Sequence, residues 1–180
     1  LWDVSFRTAV AQAELEDREV PSAYIRIGFD GPDGNIFIET TRPELIPACV
    51  ALGAHPDDQR YPHLFGKTAT TPLFGVEVPI LAHRLAQSDK GTGIAMICTF
   101  GDVTDVIWWR ELKLPNRPII GFDGRILTEP PEAISSNKGA DLYAELAGKT
   151  VFSAKEILVK SLQASGDMVG EAKPITHPVK

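Results

Sequence analysis

The amino-acid sequence predicts an α+β domain, built as a mainly antiparallel β-barrel with a few peripheral helices. Many short apolar runs follow one another, and glycine or proline breaks them at close intervals, with 15 Gly and 14 Pro in the chain. Such a pattern is typical of closed antiparallel barrels. Only a few stretches, all in the second half, have the spacing of helices. The 180 residues suit one domain with one full core.

The first predicted elements form a β-hairpin over residues 23–41. Residues 23–29 alternate as a strand does, residues 30–35 are rich in turn formers, and residues 36–41 return as a second strand. Pro43 then biases the residue before it away from the α region and fixes a turn.

Further short strands are predicted over residues 49–53, 67–71, 76–81 and 94–98. Pro72 and Pro79 indicate sheet edges or barrel corners, because proline cannot donate to a strand ladder. An Asp-Gly turn predicts another hairpin over residues 119–127. We expect residues 171–180 to form an extended strand.

Three helices are predicted, over residues 103–114, over residues 141–147 and from 153 to about 165. Pro115 ends the first, Gly148 the second and Gly166 the third. Ser153 and Glu156 have the spacing of a capping box, which predicts that the third helix opens there.

Composition and charge exclude several classes of function. A net charge of −6 and a pI of about 5.2 argue against a strong basic field that would bind nucleic acid unaided. The two cysteines lie far apart and the four histidines lack ligand spacing, so no disulfide framework, metal site or cofactor is predicted. No apolar stretch approaches the ~20 residues of a membrane span. Cysteine usage fits a reducing cytoplasm, and a chain that begins with Leu1 is expected to be an excised domain.

The chain is organised around residues 90–105, which join a Gly-Thr-Gly turn, an apolar strand and two acids. The strand delivers Asp102 and Asp105 to the start of the helix predicted from residue 103. Two interpretations stay open. The acids line a pocket at the strand end, or they stabilise the positive end of the helix as caps. The interpretations are compatible, because one oxygen can cap while the other faces a ligand.

A second cluster of polar residues follows the strand over residues 36–41. Thr40, Thr41, Arg42 and Glu44 place two hydroxyls, a guanidinium and a carboxylate at one strand end. Threonine is also simply a good strand residue, so this cluster alone does not establish a site.

An ordered set of motifs adds a resemblance to a known family. Along the chain run Trp-Asp-Val (2–4), Thr-Ala-Val-Ala-Gln-Ala-Glu (8–14), Ile-Glu-Thr-Thr-Arg-Pro-Glu (38–44), His-Pro-Asp-Asp (55–58) and Lys-Gly-Thr-Gly (90–93). This order resembles the editing (CP1) insertion of the class I valyl-, isoleucyl- and leucyl-tRNA synthetases. The segment 8–14 and the Thr-Thr-Arg-Pro-Glu form favour the valyl type, because isoleucyl relatives usually have Thr-Pro-Trp-Thr and leucyl relatives Thr-Thr-Arg-Pro-Asp.

The resemblance implies a single editing domain over residues 1–180, cut from a larger synthetase. Residues 1–20 and 171–180 would connect it to the aminoacylation domain of the same chain. The implied activity is hydrolysis of threonyl-tRNA(Val), and of threonyl-adenylate, in a cytoplasmic enzyme. The implied partner is the 3′ end of tRNA(Val) carrying threonine. The aminoacylation motifs His-x-Gly-His and Lys-Met-Ser-Lys-Ser do not occur in the sequence, so the chain itself is not expected to activate amino acids.

The resemblance also assigns roles to residues. Asp105 would hold the substrate's α-ammonium, and Asp102 would accept the threonine hydroxyl or place water. Asp105, Asp102 and Thr41 are the implied catalytic residues, with water rather than a protein side chain as the nucleophile. The implied substrate-binding set is Thr40, Thr41, Arg42, Pro43, Glu44, Lys90, Thr92, Gly93, Met96, Cys98, Thr99, Asp102 and Asp105.

Two positions depart from the family pattern. Relatives often have lysine where Met96 stands, and Pro-x-His where this chain has Thr99-Phe100-Gly101. A non-catalytic module that binds the tRNA 3′ end therefore remains an alternative. An isoleucyl or leucyl editing domain and an unrelated acidic barrel for small ligands are further alternatives. The pair Asp102 and Asp105 separates the hydrolase from the binding module, which has no need of both acids.

Overall fold

The computed structural model describes residues 2–3, 5–9, 18–98 and 103–179. The strands are β1 Trp2–Asp3, β2 Thr8–Ala9, β3 Arg18–Gly31, β4 Gly34–Thr40, β5 Cys49–Ala54, β6 Thr68–Thr70, β7 Glu77–Ala82, β8 Ile94–Cys98 and β9 Lys173–Val179. The α-helices are α1 Val103–Leu112, α2 Asn137–Leu146 and α3 Val151–Ser165, and 3-10 helices span Pro43–Ala48 and Pro62–Leu64.

The main sheet forms a nearly closed barrel, so the predicted α+β barrel is confirmed. Its strand order is β4-β3-β6-β7-β5-β8, and β9 adds to β3. Neighbouring strands are antiparallel except β5 and β7, which are parallel. The two end strands, β4 and β8, lie beside each other, but no ladder joins them within the described ranges. We call this line of contact the β4–β8 seam.

The predicted hairpin over residues 23–41 is confirmed, and its first strand is longer than expected. β3 pairs with β4 from Ile25↔Thr40 to Gly31↔Gly34. The earlier half of β3 pairs with β9, from Arg18↔Val179 to Tyr24↔Lys173. The predicted strand in the last ten residues is therefore confirmed as the partner of β3, and the two form an antiparallel ribbon.

The core fills the barrel and the space beneath α3. Alternate residues of β3 (Ile25, Ile27 and Phe29) are buried, as a strand with one face on the core requires. Leu158 and Leu162 of α3, one helical turn apart, pack onto the same cluster. Each such side chain contributes about 1.5–3 kcal/mol when fully buried.

The predicted helices exist, but their ends differ from the prediction. The first stops at Leu112 rather than residue 114, because Lys113 adopts a left-handed φ of 52°. The second starts at Asn137, four residues earlier than predicted, because the Ser136 side chain accepts the Gly139 N–H and caps the helix. The predicted capping box at Ser153 is wrong.

The cap of α3 lies three residues before Ser153. The Thr150 hydroxyl accepts the Ser153 N–H at 3.2 Å, so Ser153 is inside the helix. Gly166 closes α3 in the left-handed conformation, as predicted. The hairpin predicted over residues 119–127 is present in a short form. Ile120 and Ile126 form an antiparallel bridge, and hydrogen bonds from the Leu127 N–H to the Ile119 carbonyl oxygen and from the Gly121 N–H to the Arg125 carbonyl oxygen, each 2.8 Å, lie on either side of it.

Candidate active site

The predicted site residues lie along the β4–β8 seam, in two groups. Asp105, Cys98 and residues 40–44 lie at one end, and Thr92 and Gly93 lie beside the middle of β4. Six residues of nearly extended chain separate Thr92 from Cys98, which corresponds to about 20 Å. The site is therefore long, and its two groups do not share one small pocket.

Asp105 is the central group at the first end, which we call the acid end. It lies in the first turn of α1 and is only 7% exposed. Its Oδ1 accepts the backbone N–H of Cys98, the last residue of β8, in a long hydrogen bond of 3.4 Å. The carboxylate therefore faces the end of β8 from the first turn of α1.

Cys98 connects Asp105 to the segment that follows β4, because its N–H contacts Asp105 and its thiol contacts that segment. The Cys98 thiol contacts the Leu45 carbonyl oxygen at 3.5 Å, which joins β8 to the 3-10 helix after β4. The Thr40 hydroxyl accepts the Arg42 N–H at 3.0 Å. Arg42 has φ −127° and ψ 64°, outside the α region, as the proline after it predicts. The Thr40 contact and the backbone of Arg42 turn the chain at the end of β4.

Glu44 carries a buried acceptor without a partner among the described residues. Its side chain is 3% exposed, and Oε1 accepts from Arg42 Nε at 3.1 Å. Oε2 is buried and makes no hydrogen bond to any residue that the structure describes. A buried carboxylate oxygen without a partner costs about 1–3 kcal/mol or more, so this atom is a candidate acceptor for a ligand's donor.

A lysine from a distant helix holds the strand end in place. Lys155 Nζ of α3 donates to the Thr41 carbonyl oxygen at 2.8 Å. This contact was not predicted, because nothing in the sequence around a half-buried helical lysine indicates a partner 114 residues away. Lys155 fixes the backbone of Thr41.

The thiols at the acid end are poor nucleophiles. Cys98 and Cys49 are direct partners across β5 and β8, and both are buried and free. A hydrogen bond with Cys49, together with burial, raises the pKa of the Cys98 thiol well above its ordinary value. Because the thiolate is the reactive form, Cys98 is protonated at neutral pH and unreactive.

At the other end of the seam, the Gly-Thr-Gly turn of residues 91–93 packs against β4. We call these three residues the glycine loop. The Thr92 hydroxyl donates to the Phe37 carbonyl oxygen at 2.6 Å, and the Thr92 carbonyl oxygen accepts from the Tyr61 hydroxyl. Both polar groups of Thr92 are thus engaged within the chain.

An ion pair between the buried Asp58 and the half-exposed Arg60 supports the glycine loop. Arg60 Nε and Nη2 donate to the two oxygens of Asp58 at 2.8 and 2.6 Å, and Nη2 also donates to the Ser88 carbonyl oxygen at 2.7 Å. The hydrogen bonds from Arg60 lower the pKa of the Asp58 carboxyl. The motif His-Pro-Asp-Asp contains Asp58, but no role was predicted from the sequence for Asp58, Arg60 or Tyr61.

A cleft of about 300 Å³ opens beside the glycine loop. Its wall includes Phe37, Arg60, Tyr61 and Thr92, so it shares only Thr92 with the predicted site residues. The Arg60 guanidinium lies 5.1 Å from the centre of the Tyr61 ring. The cleft combines aromatic faces with hydrogen-bonding groups next to the seam.

Within the described ranges, the side chains of Lys90 and Met96 add no hydrogen bond to either group, although the Lys90 carbonyl oxygen accepts the Gly93 N–H at 3.0 Å. Lys90 is exposed in the turn before the glycine loop, and Met96 is half-buried and packs against the core. Thr99 and Asp102 lie outside the described residues, as does the Thr99-Phe100-Gly101 departure. Pro43 has a structural position, since it starts the 3-10 helix.

Within the described ranges, no group of three or more His, Cys, Asp or Glu side chains is placed to hold a metal ion. The helices described there are also too short or too polar to cross a membrane.

The sequence is similar over its whole length to valine–tRNA ligases. It is 71% identical to the enzyme of Leifsonia xyli, and the match covers 100% of this chain and 21% of that protein. Identity is 66% with the Thermobifida fusca enzyme and 53% with that of Tropheryma whipplei, again over the whole chain. The chain thus spans about a fifth of the length of these relatives. No protein-family model matches it.

The fold has a counterpart in a solved synthetase. A ternary complex of Agrobacterium radiobacter LeuRS with tRNA and LeuAMS matches with a TM-score of 0.57 and 18% identity, over 89% of this chain and 20% of that one. At this identity the match establishes the fold alone. By sequence the chain is similar along its full length to a segment of valine–tRNA ligases, and by fold it is similar to part of a LeuRS chain.

Proposed function

We propose that this domain hydrolyses threonyl-tRNA(Val) by attack of a positioned water. One observation carries the proposal. The buried carboxylate of Asp105 meets the end of β8 at the open seam of the barrel, beside a strand end whose Glu44 retains an unpartnered buried oxygen. Acceptors in such a place suit a ligand with an ammonium and a hydroxyl to donate.

Valine and threonine are almost isosteric, which explains why a second pocket is needed. For valyl-tRNA synthetases it is already known that an apolar synthetic pocket rejects threonine by only about 10²-fold. A pocket built to hydrogen-bond the extra hydroxyl discriminates better, because valine would leave its polar groups unpaired. The buried Oε2 of Glu44, which has no hydrogen-bond partner among the described residues, fits such a hydroxyl-demanding pocket.

The length of the seam suggests how the substrate lies. The threonyl group would occupy the acid end, where Asp105 pairs with the α-ammonium through a charge-assisted hydrogen bond. The terminal nucleotide would extend along the seam toward Thr92 and Gly93. A substrate of this shape uses both groups of predicted residues, although about 20 Å of chain separates them.

Water is the proposed nucleophile, since the nearby Cys98 thiol is protonated. Its oxygen bonds to the ester carbonyl carbon, the bond from that carbon to the ribose oxygen breaks, and the water's proton passes to the ribose oxygen. Free threonine and uncharged tRNA leave. Thr41 and Asp102 would place the water, a contribution through positioning and proton transfer.

The ribbon of β3 and β9 suggests how the domain connects to the rest of a ligase. Arg18 and Val179 are paired in that ribbon, so the two ends of the domain leave it side by side. We propose that the ribbon leads to the aminoacylation domain. With a net charge of −6, the domain would depend on the remainder of that cytoplasmic enzyme for most of its tRNA affinity.

The test uses the full-length ligase that carries this chain. We expect Asp105→Ala to lower the kcat for deacylation of threonyl-tRNA(Val) by at least about 10²-fold, while charging with valine continues at the parent rate. Ser136→Ala, which removes the cap of α2, is the matched control for a lost helix cap.

Two outcomes would contradict the proposal. If Asp105→Ala and Ser136→Ala both deacylate like the parent, Asp105 is only a helix cap. If the parent binds threonyl-tRNA(Val) but never deacylates it faster than free solution does, the domain is a binding module for the tRNA 3′ end.

A further inference from the structure

We propose that Asp58, Arg60 and Tyr61 form a latch that positions the glycine loop for the nucleotide end of the substrate. We call these three side chains the loop latch. They are assigned as positioning residues, since they act through Thr92 and Gly93 and not on the reacting ester. The inference rests on the proposed function, because it concerns the same substrate.

The latch begins with the ion pair between Asp58 and Arg60. Asp58 is 8% exposed, and its Oδ1 accepts both the Arg60 side chain and the Arg60 backbone N–H, the latter at 3.1 Å. The two-point contact fixes the plane of the guanidinium. Nη2 is thereby aimed at the Ser88 carbonyl oxygen, three residues before the loop.

Gly93 lies directly on this ion pair. A Cβ at position 93 would lie 2.4 Å from Arg60 Nη2 and 2.9 Å from Asp58 Oδ2, and the residue has a φ of +83°. Only glycine combines this backbone with so close an approach. The backbone of the loop at Gly93 therefore packs directly against the Asp58 and Arg60 side chains.

Tyr61 closes the latch from the side. Its hydroxyl donates to the Thr92 carbonyl oxygen, while the Thr92 hydroxyl donates to the Phe37 carbonyl oxygen on β4. Three polar contacts therefore join Arg60 to Ser88 just before the loop, Tyr61 to the loop, and the loop to β4. Each contact ends on a backbone carbonyl oxygen, so the latch fixes the path of the chain at the loop.

The position of the latch indicates which part of the substrate it serves. It borders the cleft of about 300 Å³ and lies about 20 Å along the chain from the acid end. A loop displaced there weakens contacts to the nucleotide without moving Asp105. The expected signature is a raised KM for deacylation with kcat unchanged.

Tyr61→Phe tests the latch in the full-length ligase, because it removes one hydroxyl and keeps the ring. Tyr143→Phe is the matched control: its hydroxyl also donates to a backbone carbonyl oxygen, that of Leu127 at 3.0 Å, far from the seam. We expect Tyr61→Phe to raise the KM for threonyl-tRNA(Val) about two- to tenfold, the worth of one hydrogen bond. Arg60→Lys should raise it further, and Tyr143→Phe should leave it unchanged.

The latch proposal fails if Tyr61→Phe matches Tyr143→Phe in KM, or if its effect falls on kcat alone. Asp105→Ala, measured alongside, separates this failure from that of the proposed function. If Asp105→Ala abolishes deacylation while Tyr61→Phe behaves like its control, the hydrolase stands and the latch does not.

Discussion

Two acid–arginine pairs at opposite ends of the seam have the same spacing in the sequence but differ in how many carboxylate oxygens are hydrogen-bonded. Asp58 pairs with Arg60, and Glu44 with Arg42, each two residues away. Both carboxylates are almost fully buried. Asp58 uses both oxygens, at 2.8 and 2.6 Å from one guanidinium, whereas Glu44 uses only Oε1. The second oxygen of Glu44 is buried without a partner.

This difference in hydrogen bonding suggests that Asp58 has a structural role, whereas the second oxygen of Glu44 is a candidate to contact a ligand. A carboxylate that uses both oxygens on one guanidinium fixes geometry, and we propose that the pair of Asp58 and Arg60 serves the glycine loop in this way. An unsatisfied buried oxygen lowers the stability of the fold, and such groups are expected at functional sites. We therefore propose that the acid end, with Glu44 and Asp105, is the chemical end, and that the latch end is the scaffold.

The largest effect is expected from crowding the saturated pair. Gly93→Ala combines strain at φ +83° with a collision at 2.4 Å, and should destabilise the chain by about 2–4 kcal/mol. Gly66→Ala is the matched control, because Gly66 has a φ of +81° and no atom within 4 Å of the added Cβ. It should cost about 1 kcal/mol, the strain alone.

Chemical denaturation of the two variants measures this difference. Equal losses of unfolding free energy for Gly93→Ala and Gly66→Ala would show that Arg60 moves aside freely. The pair would then not be the rigid base for the loop that its geometry indicates.

The next effect compares the two carboxylates directly. Glu44→Gln should change the unfolding free energy by no more than about 1 kcal/mol, because it leaves the unpartnered position no worse satisfied. Asp58→Asn should destabilise more, because it weakens a two-point charged contact that lowers the pKa of Asp58. In deacylation of threonyl-tRNA(Val), Glu44→Gln should lower kcat about three- to tenfold, and Asp58→Asn should act on KM.

Steady-state kinetics and denaturation of the same two variants decide the matter. A Glu44→Gln enzyme with parental kcat would mean that the free oxygen meets no substrate group. If Asp58→Asn lost kcat at unchanged KM, the assignment of the two ends would be reversed.

The sequence predicted the barrel and most of its strands, because short apolar runs and their glycine and proline breaks are local signals. It also predicted that Asp105 lies at the start of the helix that follows the apolar strand, as the structure has it. The functional roles of Asp105 and of the strand end after β4 stay predictions. Helix starts were predicted less well, since Ser153 matched a capping pattern while Thr150, three residues earlier, provides the cap. The pattern alone does not show which of two nearby hydroxyls caps the helix.

Contacts between distant segments could not be predicted from local patterns. Lys155 reaches Thr41 across 114 residues, and Tyr61 reaches Thr92 across 31. Each depends on the closure of the barrel, which brings separate loops together. The division of the site into two groups could not be predicted for a similar reason. Residues 90–105 form one continuous motif in the sequence, but in the structure β8 places its two ends far apart.

The smallest effect concerns a third carboxylate, Glu111, which is satisfied like Asp58 but exposed. His83 Nδ1 accepts from Trp108 Nε1 at 2.9 Å, so Nε2 carries the proton and donates to Glu111 Oε2 at 2.8 Å. This bond from His83, with help from Arg84, lowers the pKa of Glu111. A depressed carboxyl pKa stabilises the fold above the ordinary pKa of the group and loses that effect as the pH falls through the lowered value.

Glu111→Gln should therefore be slightly less stable than the parent at pH 7, and the two should converge as the pH falls below the ordinary range of a glutamate. Glu156→Gln, at an exposed position of α3, should follow the parent at every pH. Thermal unfolding of the three chains from pH 7 to pH 3 measures the trend. If the difference in stability between parent and Glu111→Gln instead grew toward low pH, the prediction would be contradicted. The hydrogen bond from His83 would then not stabilise the exposed Glu111 carboxylate in the way that Arg60 stabilises the buried Asp58.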